Sequence, residues 1–191
     1  MTVTRLGAHG RGGRRPPAAS LRRVLAAAAT GALLAATSAC GASFPADPDG
    51  TLDRVSDGVL RVGVSADPPW TELPDGTGTG TGTGTEAPTG VEPTLLEEFA
   101  RSVGAEIAWT VAGEEALVRE LEAGRLDVVV GGLTGRSPWA EKVALTQPYV
   151  TLTDPDGRPE HHVMATPMGE NGFLVALERF LLEQDVQDVA P

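Results

Sequence analysis

Several side chains have the chemistry needed to bind a small molecule. Asp67 stands before a Pro-Pro turn, where it could offer a carboxylate to a cationic ligand or simply start the turn. Trp70 and Trp139 have the large amphipathic surfaces that suit a ligand or a partner protein, and they would serve equally well in a core. Arg136 could bind an anionic group, or it could be a solvated surface residue. These residue types favour binding over catalysis.

The spacing of the other reactive side chains supports neither a metal site nor an active site. His161 and His162 could donate imidazole nitrogens to a metal ion, but no third ligand follows at a suitable spacing. The sequence shows no nucleophile–base pair, no phosphate-binding loop and no pair of acids with catalytic spacing. We therefore expect no metal, no cofactor and no enzymatic activity.

The charges are distributed unevenly along the 191 residues. The net charge is −11, but residues 1–39 hold six arginines and no acid, so the remainder carries a net charge of −17. Such an acidic chain lacks the basic surface that nucleic-acid binding requires. An anionic lipid surface would repel it as well, so any attachment to a membrane needs another physical cause.

The first 39 residues are predicted to be a signal peptide. An Arg-rich start is followed by an apolar run over residues 24–36, which is too short and too rich in Ala to span a bilayer comfortably. The run ends in Thr-Ser-Ala followed by Cys40, the only cysteine, and this ending resembles a lipobox. Acylation of Cys40 would anchor the protein at the extracytoplasmic face of the cell membrane. The alternative is a lone cysteine beside an ordinary cleavage site.

The rest of the chain is predicted to form a tether followed by a folded domain. Residues 40–58 are rich in Pro, Gly and Asp, which predicts a flexible tether. Residues 59–185 alternate strand and helix patterns, and the order β-α-β-α-β predicts a mainly parallel sheet with right-handed crossovers. Within this domain, residues 76–90 contain an alternation of Gly and Thr that is predicted to be disordered. Residues 186–191 form a tail.

These segments, in this order, resemble family 3 of the bacterial extracellular solute-binding proteins. The resemblance implies a type II periplasmic-binding-protein fold that binds amino acids or similar small polar solutes. It also implies a partner in the membrane, an ABC-type transporter. The matching stretches are residues 60–64 (LRVGV), 67–70 (DPPW), 90–95 (GVEPTL), 116–127 (ALVRELEAGRLD), 131–134 (GGLT), 143–149 (VALTQPY) and 162–171 (HVMATPMGEN).

The resemblance breaks where the family has its second lobe. The family fold has two lobes joined by two hinge strands, and the hinge strands match residues 145–150 and 162–166. Only residues 151–161, with a strong turn at Asp154-Pro-Asp-Gly157, lie between them. Eleven residues cannot form a lobe, but they can close a hairpin. We therefore expect an α/β fold with a single lobe, flanking helices and an antiparallel hinge hairpin, which exposes one wall to a solute.

The resemblance also implies a ligand site that departs from the amino-acid binders. The Gly132 carbonyl and the Thr134 hydroxyl would hold an amino group. Asp67 occupies a position where an aromatic ring often stacks on the ligand. Trp139 occupies the position of the Arg that grips the ligand carboxylate, and Arg136 is near enough to replace it. The predicted ligand-binding residues are these five together with Trp70.

Two functions remain open at this point. The first is a lipid-anchored module that recognises a small polar solute, such as an amino acid or a cation, for an ABC-type transporter. The second is an interaction or regulatory subunit of a membrane complex that kept the lobe and lost solute binding.

Overall fold

A computed structural model describes residues 44–74 and 87–186. The predicted signal peptide, the predicted lipidation site Cys40, Asp75, residues 76–86 of the Gly-Thr loop and the last five residues of the tail lie outside the described residues. Among the helices of the described part, none is both long and apolar enough to cross a membrane.

The described chain alternates helices and strands around a five-stranded sheet with the order β2-β1-β3-β7-β4. A two-stranded sheet, β5-β6, stands beside it. The helices are α1 (Thr51–Val55), α2 (Val91–Ser102), α3 (Glu114–Glu122) and α4 (Asn171–Leu182). The strands are β1 (Val59–Val64), β2 (Glu106–Val111), β3 (Val128–Val130), β4 (Ala144–Leu145), β5 (Val150–Thr153), β6 (Pro159–His162) and β7 (Ala165–Thr166).

The parallel half of the sheet confirms the predicted α/β class. Strand β1 pairs in parallel with β2 on one side and with β3 on the other. Side chains alternate along β3, so Val128 and Val130 join the core beneath α2 and α4, whereas Val129 joins the core beneath α3. Helices therefore cover both faces, which explains why these strands are continuously apolar.

The antiparallel half of the sheet brings the two predicted hinge segments side by side. Strand β7 pairs with β3 and with β4, where Leu145 lies opposite Ala165. The chain then continues into the hairpin β5–β6, in which Val150 lies opposite His162. The hairpin strands thus extend into residues 151–161, and the turn itself is confined to the residues around Asp154. The Asp154 carboxylate accepts hydrogen bonds from the backbone N–H groups of residues 156 and 158 at 3.0 and 2.8 Å.

The prediction of a flexible tether is wrong for residues 44–58. Residues 51–55 form helix α1, and Val55 is fully buried in the core beneath α2 and α4. The domain therefore begins before the predicted boundary at residue 59. The predicted tail was expected to begin at residue 186, but Val186 is buried in the same core and therefore belongs to the domain.

Two carboxylates fasten this N-terminal segment to the start of α4. The Asp47 carboxylate accepts hydrogen bonds from Leu52 N and Phe173 N, at 2.7 and 3.1 Å. The Glu170 carboxylate accepts hydrogen bonds from Asp49 N and Thr51 N, both at 3.0 Å. The first turns of α1 and α4 thereby obtain acceptors for backbone N–H groups that have no partner within their helices. The Pro, Gly and Asp residues of this segment therefore belong to a folded structure and not to a flexible tether.

A third buried carboxylate joins α1 to the amino ends of the parallel strands. Asp127 precedes β3, is fully buried, and forms two-pronged contacts with both Arg54 and Arg61. Although burial opposes ionisation, hydrogen bonds from the two guanidinium groups hold the pKa of Asp127 below its ordinary value. Asp127 is therefore a structural residue.

We predict that Asp47→Ala destabilises the domain by about 1–2 kcal/mol, because two first-turn N–H groups lose their acceptor. The matched control is Asp49→Ala, whose carboxylate is exposed and should matter by less than about 0.5 kcal/mol. Urea unfolding followed by tryptophan fluorescence would measure both. Equal stabilities of the two variants would show that Asp47 does not fasten the segment.

Candidate functional site

Five of the six predicted ligand-binding residues, all except Trp139, lie at the carboxyl ends of the parallel strands. The segment 65–71 follows β1, and the segment 131–136 follows β3. Strand β6 of the hairpin runs beside the second segment, where Thr134 bridges to His162 and Gly135 N donates to His161 O at 2.8 Å. Ligands of open α/β sheets bind at this edge. These three segments are the candidate site.

Glu92, at the start of α2, holds the candidate site together from below. Its side chain is fully buried. One carboxylate oxygen accepts hydrogen bonds from Thr71 Oγ1 and Gly132 N, at 2.8 and 3.0 Å, and the other accepts one from Tyr149 Oη at 2.9 Å. Burial raises the pKa of Glu92 above its ordinary value, while the hydrogen bonds oppose that rise. One carboxylate thus ties together the loop after β1, the loop after β3 and the chain entering the hairpin.

Gly132 gives Asp67 its place over the loop that follows β3. Gly132 has a φ of +67°, a left-handed backbone conformation that residues with a Cβ rarely adopt. A Cβ added to Gly132 would also lie 1.5 Å from Asp67 Oδ2. The backbone of Asp67 is fixed by two hydrogen bonds with Thr71, each 3.0 Å long. The Asp67 carboxylate therefore sits directly on the Gly132 backbone.

The Asp67 carboxylate has unused hydrogen-bonding capacity on this edge. It is half-buried, and its oxygens accept no hydrogen bond from the described residues. Burial raises the pKa of Asp67 above its ordinary value. The nearby His162 opposes this rise, and the negative charges of Glu114 and Glu160 add to it. A carboxylate in this position attracts a cation that can donate hydrogen bonds.

Trp70 is a core residue and does not line an exposed shelf. Only 6% of it is exposed. Its ring stacks on His162, with the centroids 4.0 Å apart, and meets Tyr149 edge-on at 6.2 Å. Of the two roles that the sequence left open for Trp70, the structure supports the structural one.

The other two predicted side chains are already engaged within the lobe. The Arg136 guanidinium donates to Pro159 O at 3.0 Å and lies 3.9 Å from the Asp154 carboxylate, so it braces the hairpin. Trp139 Nε1 donates to the Glu114 carboxylate at 2.9 Å. Trp139 lies in a series of turns that follows Ser137. Thr134 Oγ1 accepts only a long bond of 3.4 Å from Arg136 N, which leaves its hydroxyl available.

Sequence reasoning missed Glu92, Glu160 and His162. Glu92 lies in a helical pattern, where an acid in the first turn is usually solvated, so nothing in the sequence indicated its burial. Glu160 and His162 share a strand face, and that alternation was the available signal. In the part of the chain that the structure describes, no group of three or more His, Cys, Asp or Glu side chains could hold a metal ion.

A separate groove of about 580 Å³ lies beyond the turn that carries Trp70. It contains none of the predicted ligand-binding residues. Its lining includes Pro69, Val91, Leu95, Gln184 and Val186.

The fold and the position of the site define the class: one lobe of a periplasmic-binding-protein fold. The model of the family described as bacterial extracellular solute-binding proteins, family 3, matches residues 60–155, about half of the chain. The chain belongs to this family. A "Probable histidine-binding protein" of Campylobacter jejuni is 30% identical over 61 residues, which are 32% of this chain. The chain spans about a quarter (24%) of the length of that curated relative.

Solved structures support the single lobe. The arginine-bound form of domain 1 from TmArgBP, of T. maritima, is 27% identical, with a TM-score of 0.55. The match covers 69% of this chain and 98% of that domain. A point mutant of the same arginine-bound domain is 26% identical, with a TM-score of 0.56, and the match covers 70% of this chain and 96% of the domain.

We predict that Glu92→Ala destabilises the domain by about 3–5 kcal/mol, because three buried donors lose their acceptor. Glu92→Gln keeps an oxygen for Thr71 and Gly132, so its cost should be clearly smaller. Thermal and urea unfolding of both variants would measure the difference. Equal losses for Ala and Gln would show that the negative charge, and not acceptor capacity, is what the site requires.

Proposed function

We propose that the protein is a lipid-anchored, extracytoplasmic binding module that recognises a small cationic polar solute for an ABC-type transporter. The observation that carries this proposal is the Asp67 carboxylate, which lies at the ligand-binding edge of the sheet without a hydrogen-bond donor from the described residues. Acylation at Cys40 would supply the attachment to the membrane. The module binds and does not catalyse.

The relatives support a cationic amino acid as the solute. Arginine is named as the bound molecule of domain 1 from TmArgBP, which is a single domain of the size and shape of this lobe. That precedent supports binding by one lobe without closure of a second. The curated relative is named as a probable histidine-binding protein, which points to the same chemical class.

Groups beside Asp67 would complete the contacts. The Thr134 hydroxyl and the Gly132 carbonyl lie on the loop that Asp67 overhangs, and both are oxygen acceptors for an ammonium group. This set contains no spare cation for a ligand carboxylate, because Arg136 is held by the hairpin. We therefore expect recognition to depend on the positive end of the solute.

The second candidate function is an interaction or regulatory subunit that has lost solute binding. The observation in its favour is that the Arg136 guanidinium and the Trp139 indole N–H are both engaged inside the lobe. Crosslinking in native membranes would trap one specific integral-membrane protein if this candidate is correct. Unchanged crosslinking in Asp67→Asn would separate the two roles, because that variant removes the solute contact alone.

We predict that Asp67→Asn weakens binding of L-arginine at least tenfold, because a charge-assisted contact is lost. Calorimetry on protein extracted from membranes in detergent would measure it. The matched control, Asp156→Asn at the exposed tip of the hairpin, removes the same charge and should change the affinity less than twofold. Similar losses in the two variants would mean that only the overall charge matters, which contradicts a contact at Asp67.

Affinity should also depend on pH in a defined direction. Since the ionised carboxylate binds the cation, affinity should be full above the raised pKa of Asp67 and should fall as the pH drops through that pKa. Protonation of His162 at acidic pH would weaken binding further. The Asp67→Asn variant should lose the part of this dependence that comes from Asp67. Affinity that rises on acidification would contradict the proposal.

A further inference from the structure

We propose that the hairpin β5–β6 forms the second wall of the site and that Glu160 and His162 bind the solute opposite Asp67. The solute is a cation that carries N–H donors, such as a primary ammonium or a guanidinium. This inference rests on the proposed function and names the chemistry of its ligand. The sequence led us to expect a single exposed wall. In this inference the solute instead lies in a narrow site between the turn that carries Asp67 and the hairpin β5–β6.

Alternation along β6 directs Glu160 and His162 to the same side. Pairing places Leu152 opposite Glu160 and Val150 opposite His162, so all four side chains share one face of the hairpin. Leu152 and Val150 pack against the main core, which shows that this face points into the lobe. The opposite face carries Thr151 and His161, whose side chains hydrogen-bond to each other at 2.9 Å.

His162 is a buried polar side chain whose ring nitrogens have no hydrogen-bond partner in the part of the chain that the structure describes. Only 3% of it is exposed, and neither ring nitrogen has a hydrogen-bond partner among the described residues. Its Nε2 lies 3.6 Å from the Glu160 carboxylate, which is beyond hydrogen-bond range. Burial lowers the pKa of His162, so the ring is neutral near pH 7 and one nitrogen is an acceptor. Buried polar groups are rarely left unpaired, and an unpaired one requires a reason.

The charges around His162 indicate that the missing hydrogen-bond partner of the ring is a cationic ligand. Asp67 and Glu160 both act electrostatically on the ring, and Glu114 lies close enough to act on Asp67. Arg136, on the same edge, directs its guanidinium to the hairpin backbone and to Asp154. The Glu160 side chain is 39% exposed, so it can turn away from His162 and admit an N–H group between them.

The available groups select cations that donate hydrogen bonds. Asp67, Glu160 and neutral His162 present only acceptors to such a ligand. Aromatic faces that bind quaternary ammonium groups are not offered by Trp70, because its ring is stacked on His162. A trimethylated ammonium group carries the same charge but has no N–H donor, so it should be rejected.

The first test compares Glu160→Gln with the control Asp156→Asn, which removes the same charge from the exposed turn of the same hairpin. L-arginine binding to membrane-extracted protein should weaken about tenfold in Glu160→Gln and less than twofold in the control. The L-arginine affinity of a third variant, His162→Gln, is interpreted only if the unfolding midpoint of that variant matches the midpoint of the wild type. Glu160 is half-exposed, so the first comparison stands if His162→Gln fails to fold.

The second test compares L-lysine with Nε-trimethyl-lysine as ligands of the wild type. Lysine should bind at least tenfold more tightly. Equal affinities for the two ligands, or a Glu160→Gln variant that binds like the control while Asp67→Asn fails, would overturn the role of the hairpin and leave the proposed function standing. If the wild type binds none of these cations, the proposed function and this inference are both wrong.

Discussion

The fully buried carboxylate of Glu92 is the constraint on which the candidate site depends. A charge or a protonated acid buried at this depth is costly unless donors surround it. Here the donors come from Thr71, Gly132 and Tyr149, which belong to three separate loops. Each loop must be correctly placed for the carboxylate to be satisfied. The loops therefore form as one unit, and Asp67 obtains its position over Gly132 from that unit.

The short hairpin changes how a lobe of this family can hold a solute. Two-lobed proteins close around the ligand and exclude water from it. In this protein the hairpin is hydrogen-bonded to the lobe through Gly135, and Arg136 braces it, so hinge closure has no counterpart. At the proposed site, selectivity would then come from fixed charges, and water that shares the site would limit affinity.

Much of the fold followed from local patterns. The alternating strand and helix patterns predicted β1, α2, β2, α3 and β3 in their correct order, because each pattern reports burial of its own segment. The N-terminal segment was misread since its partners are distant: Asp47 bonds to Phe173, 126 positions away. The same reason hid the burial of Glu92, and the burial of Trp70 depends on stacking with His162 from the hairpin. Contacts between remote segments leave no periodic trace in the sequence.

The fastening of Ala46 and Asp47 to α4, through hydrogen bonds from Gly172 N and Phe173 N, fixes the point at which the chain enters the folded lobe. Six peptide units separate Cys40 from Ala46, and a fully extended chain spans about 3.5 Å per residue, so the leash reaches at most about 21 Å. Strand β1 alone is about 20 Å long and places the candidate site at its far end. If Cys40 is acylated as proposed, a leash of this length is comparable with that strand, so Ala46 would be tied close to the lipid.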